Sequence, residues 1–406
     1  MTHSWQRNLF AVTAASFVGF TGFTLVMPFL PLYFQQLGVT DVGAIAIWSG
    51  LSLGVTPAIT AIMAPLWGRL ADRYGRKIMV ERSLVSFVFV MASMAIVTEA
   101  WHVFALRAVQ GLFAGYGALT LTMAADSAPR DRMANAIGLV QTAQRLGPAI
   151  GPIAGGAIAQ IAGLRNAFLV TATFYLVAVV LVFFFYTEPP LRHEDAGAST
   201  RRVTFRNVLA FENFMLLMAV IFGLQFIDRS FGPVLPLYVK ELGTPLDRVP
   251  IVAGVLFSIA AAAGALGHHF CGRLLRRASA RAVIAGSVAA GSVGALVYVA
   301  AGGTWLLVLG TPIFGVAIGV ATTASYTAAS TVMPPGARGA GFGLLTTASL
   351  TGLAISPIVS GFLAATSIRA VFALDFVGLL ALAAIVSRLM ITTPLVEAAA
   401  PATEEL

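Results

Sequence analysis

Continuous apolar stretches, repeated along almost the whole chain, are the feature that most narrows what this sequence can fold into. Crossing ~30 Å of hydrocarbon takes about 20 helical residues, and these stretches reach that length. Inside a bilayer every backbone N–H and C=O must be satisfied within the protein, so only helices and closed barrels can cross it. A barrel strand alternates apolar and polar residues, and these runs do not alternate. Helices therefore follow. Composition agrees. Hydrophobic residues make up 58% of 406, charged residues 10%, and mean hydropathy is +0.88. A soluble domain carries about 25% charged residues and needs them to cover its surface.

The apolar runs divide into twelve spans, near residues 9–36, 43–67, 78–98, 101–125, 133–161, 164–186, 212–239, 249–271, 280–301, 304–329, 339–365 and 369–391. Most connections are short. The exception, residues 188–206, holds Pro189, Pro190, the group Arg192-His193-Glu194-Asp195, and Arg201-Arg202. This reads as a polar cytoplasmic linker between a six-helix bundle at 1–187 and a second at 207–406, the latter ending in a short cytoplasmic tail. The expected fold is an all-α polytopic membrane protein.

Basic residues set the expected orientation. Of 25 lysines and arginines, four (Arg165, Lys240, Arg248 and Arg369) fall on the side opposite the N-terminus. Three more (Arg107, Arg145 and Arg229) lie inside spans, which leaves eighteen on the N-terminal side. Positive loops stay in the cytoplasm, so both termini are expected there. The same rule accounts for the net charge of +8 without nucleic acid. The single Cys271 excludes an intramolecular disulfide and a zinc cluster of cysteines, and no metal or cofactor is expected. No small-residue cleavage site follows the first apolar run, so no cleavable signal is expected.

The two halves repeat. Residues 28–38 (PFLPLYFQQLG) recur as 233–243 (PVLPLYVKELG), an offset of 205. At that offset Gly147 and Pro152 meet Gly352 and Pro357; near it, Gly68-Arg69-Leu70 meets Gly272-Arg273-Leu274. Prolines at matching places in the first span of each half are expected of a transporter built from repeated halves.

Residues 68–77 (GRLADRYGRK) form a tight charged hairpin between the second and third spans. Arg107, Gln110 and Gly111 lie in the fourth span, and residues 147–156 (GPAIGPIAGG) in the fifth. Together with Met27-Pro28-Phe29-Leu30-Pro31 these segments resemble motifs of the major facilitator superfamily, specifically its twelve-helix drug:proton antiporters. The resemblance covers essentially the whole chain. It implies two pseudo-symmetric six-helix bundles, an inner-membrane location, and transport by alternating access. It further implies that Asp72, Arg73 and Arg76, with Gly68 and Gly75 in the hairpin and Asp126 ending the fourth span, form a cytoplasmic gate that holds an outward-open state. In the second half Arg276 stands where Asp72 has its carboxylate, so the gate is expected in the N-terminal half alone. The fifth-span segment is similar to that of exporters. Gly147 belongs to that motif; on the residues alone, Gly151, Gly155 and Gly156 lie on neighbouring helical positions and give a flat surface where backbones can approach closely, and Pro148 and Pro152 each remove a helix hydrogen bond and should kink the helix. Such a helix is a candidate fulcrum, or ordinary small-residue packing.

A charge at the bilayer centre costs at least ~3 kcal/mol on insertion scales, so each one needs a reason. Asp228 and Arg229 sit within the seventh span. Neighbours on a helix point ~100° apart, so each is expected to find its partner elsewhere or in water. The resemblance implies that Arg107 and Asp228 face the transport path. Asp228 is the candidate proton-coupling carboxylate, with a structural ion pair and a selector for cationic substrates as alternatives. Arg145, Gln141, Phe23, Phe226, Tyr33, Tyr116, Tyr238, Tyr326 and Arg229 are the candidate cavity residues; an apolar, aromatic cavity suits lipophilic ligands. Asp375 reads as a packing or surface-proximal carboxylate, and His268 and His269 as a solvated pair.

The expected function is a proton-coupled exporter of lipophilic or amphiphilic small molecules, working as a monomer in the lipid bilayer with the proton gradient as energy source. The alternative is a major-facilitator transporter of a polar metabolite such as a sugar, amino acid or siderophore, in either direction. No Ser/His pair, nucleotide loop or metal-ligand cluster points to an enzyme.

Overall fold

Proline and glycine decide where the apolar runs stay whole and where they break. The structure, a computed structural model, describes residues 2–129, 132–188, 209, 211–333 and 338–391. The first span comprises α1 (Thr2–Val26), a 3-10 turn (Met27–Phe29) and α2 (Leu30–Gln36). The turn falls at Pro28 and Pro31, which cannot donate to the helix ladder. The second span is α3 (Val42–Tyr74) and the third α4 (Arg76–Met94). The fourth is α5 (Ala100–Phe113) and α6 (Tyr116–Ser127), parted at Gly115, whose φ of 127° suits glycine alone. The fifth is α7 (Met133–Ala162) and the sixth α8 (Leu164–Phe185).

In the second half the seventh span is α9 (Phe214–Arg229) and α10 (Leu235–Glu241), parted around Gly232 and Pro233. Then come α11 (Val249–Leu275), α12 (Ala280–Val299), α13 (Thr304–Val332), α14 (Arg338–Ala364) and α15 (Ile368–Leu389). Among the described residues the helices group into twelve spans, as the sequence leads one to expect, but the first, fourth and seventh are each broken rather than continuous. The fifth span runs through Pro148 and Pro152 as one helix.

Among the described residues nine helices are long and apolar enough to cross a membrane by length and composition alone. The other three fall short for visible reasons. Arg76, Lys77, Glu81 and Arg82 crowd the start of α4; Gln141, Gln144 and Arg145 dilute α7; and the break leaves α9 only 16 residues.

Packing shows the repeat in three dimensions. In the first half, spans 1 and 5, 1 and 6, 1 and 4, 2 and 4, 3 and 4, and 3 and 6 pack together. Six spans later the same pairs recur: 7 and 11, 7 and 12, 7 and 10, 8 and 10, 9 and 10, and 9 and 12. The halves meet chiefly through span 2 on span 11 and span 5 on span 8, a pair of contacts that the same six-span shift interchanges. Of the linker, only Glu188 is described, and it packs on the first half. Residues 189–206, with Arg192, Arg201, Arg202 and Arg206, lie outside the described residues, as do Arg130 and the tail.

Candidate functional site

Glycine against carbonyl makes the seam between the halves. A Cβ on Gly54 would sit 2.5 Å from the Ala354 carbonyl oxygen, and one on Gly361 2.5 Å from that of Ala46. On the other seam, a Cβ on Gly156 would sit 2.5 Å from the Pro250 oxygen, and Gly254 lies under the Pro152 oxygen. The Ile153 N–H donates to Ser258 Oγ across this seam at 3.1 Å. Small residues let the backbones meet, as membrane helices without a hydrophobic driving force require.

All these contacts lie towards the face opposite the N-terminus. They involve the start of α3, the end of α7, the start of α11 and the end of α14. Towards the face where the chain begins, a Cβ on Gly68, Gly138 or Gly343 would meet nothing within 4 Å. The halves therefore enclose a cleft that is shut at the far face and open at the terminal face.

The fifth span serves two neighbours, which refines the expectation of a single flat surface. Gly147, Gly151 and Gly155 pack on Thr21, Thr24 and Leu25 of the first span, and Thr24 Oγ1 donates to the Gly147 carbonyl at 3.2 Å. Pro152 and Gly156 face span 8 of the other half. Gln141 and Arg145, both exposed, lie on this same helical face about three and two turns before Pro152, where the halves have parted. They line the cleft. Arg145 has no hydrogen-bond or ion-pair partner among the described residues. Across from it on span 8, His268 bonds Thr323 Oγ1 at 2.6 Å and His269 is exposed, so only His269 fits the expected solvated pair.

The seventh-span break carries the densest chemistry. Asp228 and Arg229 pair with each other, Arg229 Nε to Asp228 Oδ2 at 3.3 Å. This corrects the sequence expectation of separate partners. The two backbones do diverge, but the arginine arm is long enough to fold back over one residue at the helix end. The pair stays partly open, with side-chain exposures of 52% for Arg229 and 36% for Asp228. Immediately behind it, Ser230 and Asp375 of the twelfth span are fully buried and 2.6 Å apart. Asp375 is thus not surface-proximal; Arg369, on the same helix, bonds the Ala301 carbonyl instead. Phe231, the residue after Ser230, and Phe372, three residues before Asp375, cluster with Tyr298 at ring-centroid separations of 4.9–5.2 Å.

Several expected cavity residues are packed away from the cleft. Arg107 is 1% exposed: its Nε donates to the Ser52 carbonyl at 3.1 Å, a second nitrogen bonds Gln110, and the guanidinium lies 5.7 Å from the Phe23 ring. It does not open onto the transport path in this state. Tyr33 and Tyr238 are wholly buried in α2 and α10. The Tyr33 hydroxyl donates to the Met94 carbonyl and the Tyr238 hydroxyl to the Tyr298 carbonyl, the latter at 2.6 Å. They are matched pins in the two halves, and the repeat that carries them is what made them conspicuous. Tyr116 is buried against Phe20 and Phe87. Phe226 and Tyr326 remain half-buried.

At the hairpin, Arg76 pairs with Asp126 within the first half. Asp72 and Arg73 are exposed, and Asp72 joins no ion pair among the described residues. Gly75, with φ 98°, makes the turn. Sequence reasoning missed Glu188, whose carboxylate accepts from the Arg76 N–H at 2.5 Å and the Lys77 N–H at 3.4 Å, capping the start of α4. Its only sequence signal is a carboxylate where the sixth span ends.

The family model described as Major Facilitator Superfamily matches residues 12–349 and 252–406. The chain is 34% identical over 278 residues to the "Multi-drug resistance efflux pump PmrA homolog" of Lactococcus lactis, covering 67% of each chain. It is 35% identical over 274 residues to "Multidrug resistance protein MdtG" of Salmonella typhimurium, again covering 67% of each. Among solved structures, a bacterial homologue of the human lysosomal transporter Spinster, in an inward-facing and unoccupied conformation, superposes with a TM-score of 0.79 at 16% identity. It covers 97% of this chain and all of that one.

Proposed function

The chain belongs to the major facilitator superfamily, and on that premise we propose that it is a proton-coupled exporter of lipophilic or amphiphilic small molecules, working by alternating access. The observation that carries the reading is the cleft between the halves. It is shut at one face by glycine–carbonyl contacts and open at the other, with Gln141, Arg145 and the Asp228–Arg229 pair projecting into or beside it. The relatives' names point to drug efflux. With the sequence's basic residues biased eighteen to four towards the side where the chain begins, the termini are cytoplasmic and the state is open to the cytoplasm, ready to load a substrate for export. The protein works in the inner membrane as a monomer, since its cleft is complete within one chain.

Asp228 is the proposed coupling carboxylate in the cleft. Protonation would release Arg229, and ionisation would recapture it, so each cycle can move a proton and rearrange the break. Arg107 sets the other wall through its bonds to the second and fourth spans. A second reading, a polar substrate, is favoured by one observation: the unpartnered Arg145 would welcome an acidic head group. An amphiphile with a carboxylate satisfies both readings.

Purified protein in sealed vesicles tests the proposal. A lipophilic fluorescent dye should accumulate when the vesicles carry a proton gradient, and the accumulation should collapse with a protonophore. Proton-driven transport that survives unchanged in Asp228→Asn would remove Asp228 from the mechanism.

A further inference from the structure

The seventh-span break holds one more hydrogen-bond contact than its serine hydroxyl can serve. Ser230 Oγ lies 2.9 Å from the Ile227 carbonyl oxygen and 2.6 Å from Asp375 Oδ2. A serine hydroxyl has a single hydrogen, so it can donate to only one of them. The carbonyl has no other good donor, since the Ser230 N–H reaches it only at 3.4 Å. If Ser230 donates to Ile227, the contact with Asp375 needs a hydrogen from the carboxyl side. Asp375 itself is 0% exposed, its Oδ1 has no partner, and no cation pairs with it among the described residues. A fully buried ionised carboxylate with one hydroxyl donor at most has little to offset its lost hydration.

The surrounding charges leave one source of relief. Span 12 packs on spans 7, 9 and 11. Span 9 contributes Tyr298, whose hydroxyl is engaged with Thr311, and Arg281, which bonds the Ser387 carbonyl near the terminal face. Residues 341–364 of span 11 carry no titratable side chain. On span 12 itself Arg369 is held by Ala301, and Arg388 lies at the far end of the helix. Tyr238, which stacks on Phe372, gives its hydrogen to the Tyr298 carbonyl. Span 7 contributes Asp228 and Arg229, the latter one residue from Ser230 and half exposed.

We propose that Asp375 is a proton-binding site: in this state its Oδ2–H donates to Ser230, and loss of that proton draws Arg229 from Asp228 towards Asp375 and remakes the seventh-span break. The balance is simple. The proton leaves Asp375 for water in the cleft, the Ser230 hydrogen turns from Ile227 to the carboxylate, and the freed Asp228 is left to take up a proton. Two carboxylates on opposite sides of one break thus share a single arginine. The site itself stands on the geometry above; its part in transport rests on the proton-coupled reading.

The full-length protein in lipid nanodiscs, studied by infrared difference spectroscopy, tests the site. At neutral pH wild type should show a carboxylic-acid C=O band that is lost in Asp375→Asn and kept in Asp228→Asn. The amide of Asp375→Asn can still donate to Ser230, which favours a folded variant. Ser230→Ala, which keeps the carboxyl, should retain the band at a shifted frequency. Protection of residues 227–235 from hydrogen exchange, normalised to the intrinsic exchange rate at each pH, should fall with rising pH in wild type and stay flat in Asp375→Asn. A band unaffected by Asp375→Asn, or equal exchange in both proteins, overturns the site. Should the band be lost while dye accumulation in vesicles is indifferent to protonophore, the proton site stands and the proton-coupled function fails.

Discussion

Adding one methyl group at the seam should move the whole transporter. In Gly156→Ala the new Cβ falls 2.5 Å from the Pro250 carbonyl oxygen. An ordinary C···O approach is about 3.3–3.6 Å, so the fifth and eighth spans must separate by roughly 1 Å. The obstacle is backbone and cannot turn aside as a side chain would. Overpacking of this kind costs about 1–3 kcal/mol, and here the cost falls only on the state that is shut at the far face. The intrinsic helix gain of alanine over glycine, about 0.5–1 kcal/mol, is common to both states and cancels from their ratio. The population should therefore shift about 5–150-fold towards the conformation open at the far face. The readout is the distance between spin labels at Tyr74 and Phe342, exposed near the terminal-face ends of spans 2 and 11, in a Cys271→Ser background. Gly156→Ala should enrich the short-distance population. Gly68→Ala, where a Cβ meets nothing within 4 Å in this state, should enrich the long one, because its cost falls where span 2 approaches span 11. A folded Gly156→Ala protein with an unchanged distance distribution would refute the reasoning.

Further outcomes follow from single contacts. Asp72→Asn should impair vesicle transport while Arg276→Ala leaves most of it, since the second hairpin lacks the carboxylate; equal losses in matched amounts of folded protein would contradict a gate confined to one half. Tyr238→Phe should lower stability by about 1 kcal/mol, the usual worth of a buried hydrogen bond, and Tyr33→Phe by a similar amount. Both should show as a lower thermal midpoint with an unaltered substrate range; a changed range would restore these tyrosines to the cavity. Glu188→Ala should cost about 0.5–2 kcal/mol through loss of the α4 cap, measured by thermal unfolding.

The repeat at an offset of 205 is a statement about the chain itself, and with it came the twelve spans, the two halves and the family. Apolar length and the demand for satisfied backbone groups are local requirements, so they are written residue by residue. The same local rules mark charges in the spans as costly and glycine runs as places where helices approach. They do not say which helix approaches, or which side of a residue its partner comes from. Tyr33 and Tyr238 stand out in the sequence because they repeat, yet whether a tyrosine lines a cavity or pins a carbonyl depends on the helix packed opposite.

The seventh span shows the division most clearly. Its sequence places Asp228 and Arg229 side by side, within what reads along the chain as one continuous span. Only the fold brings Asp375, 145 residues further on, against Ser230 at the break and buries it completely. Read along the chain, Asp375 is one carboxylate near the start of an apolar run, and nothing within a few residues distinguishes a wet position from a dry one. Burial is a property of what surrounds a residue from all sides, so the tertiary structure alone could decide it.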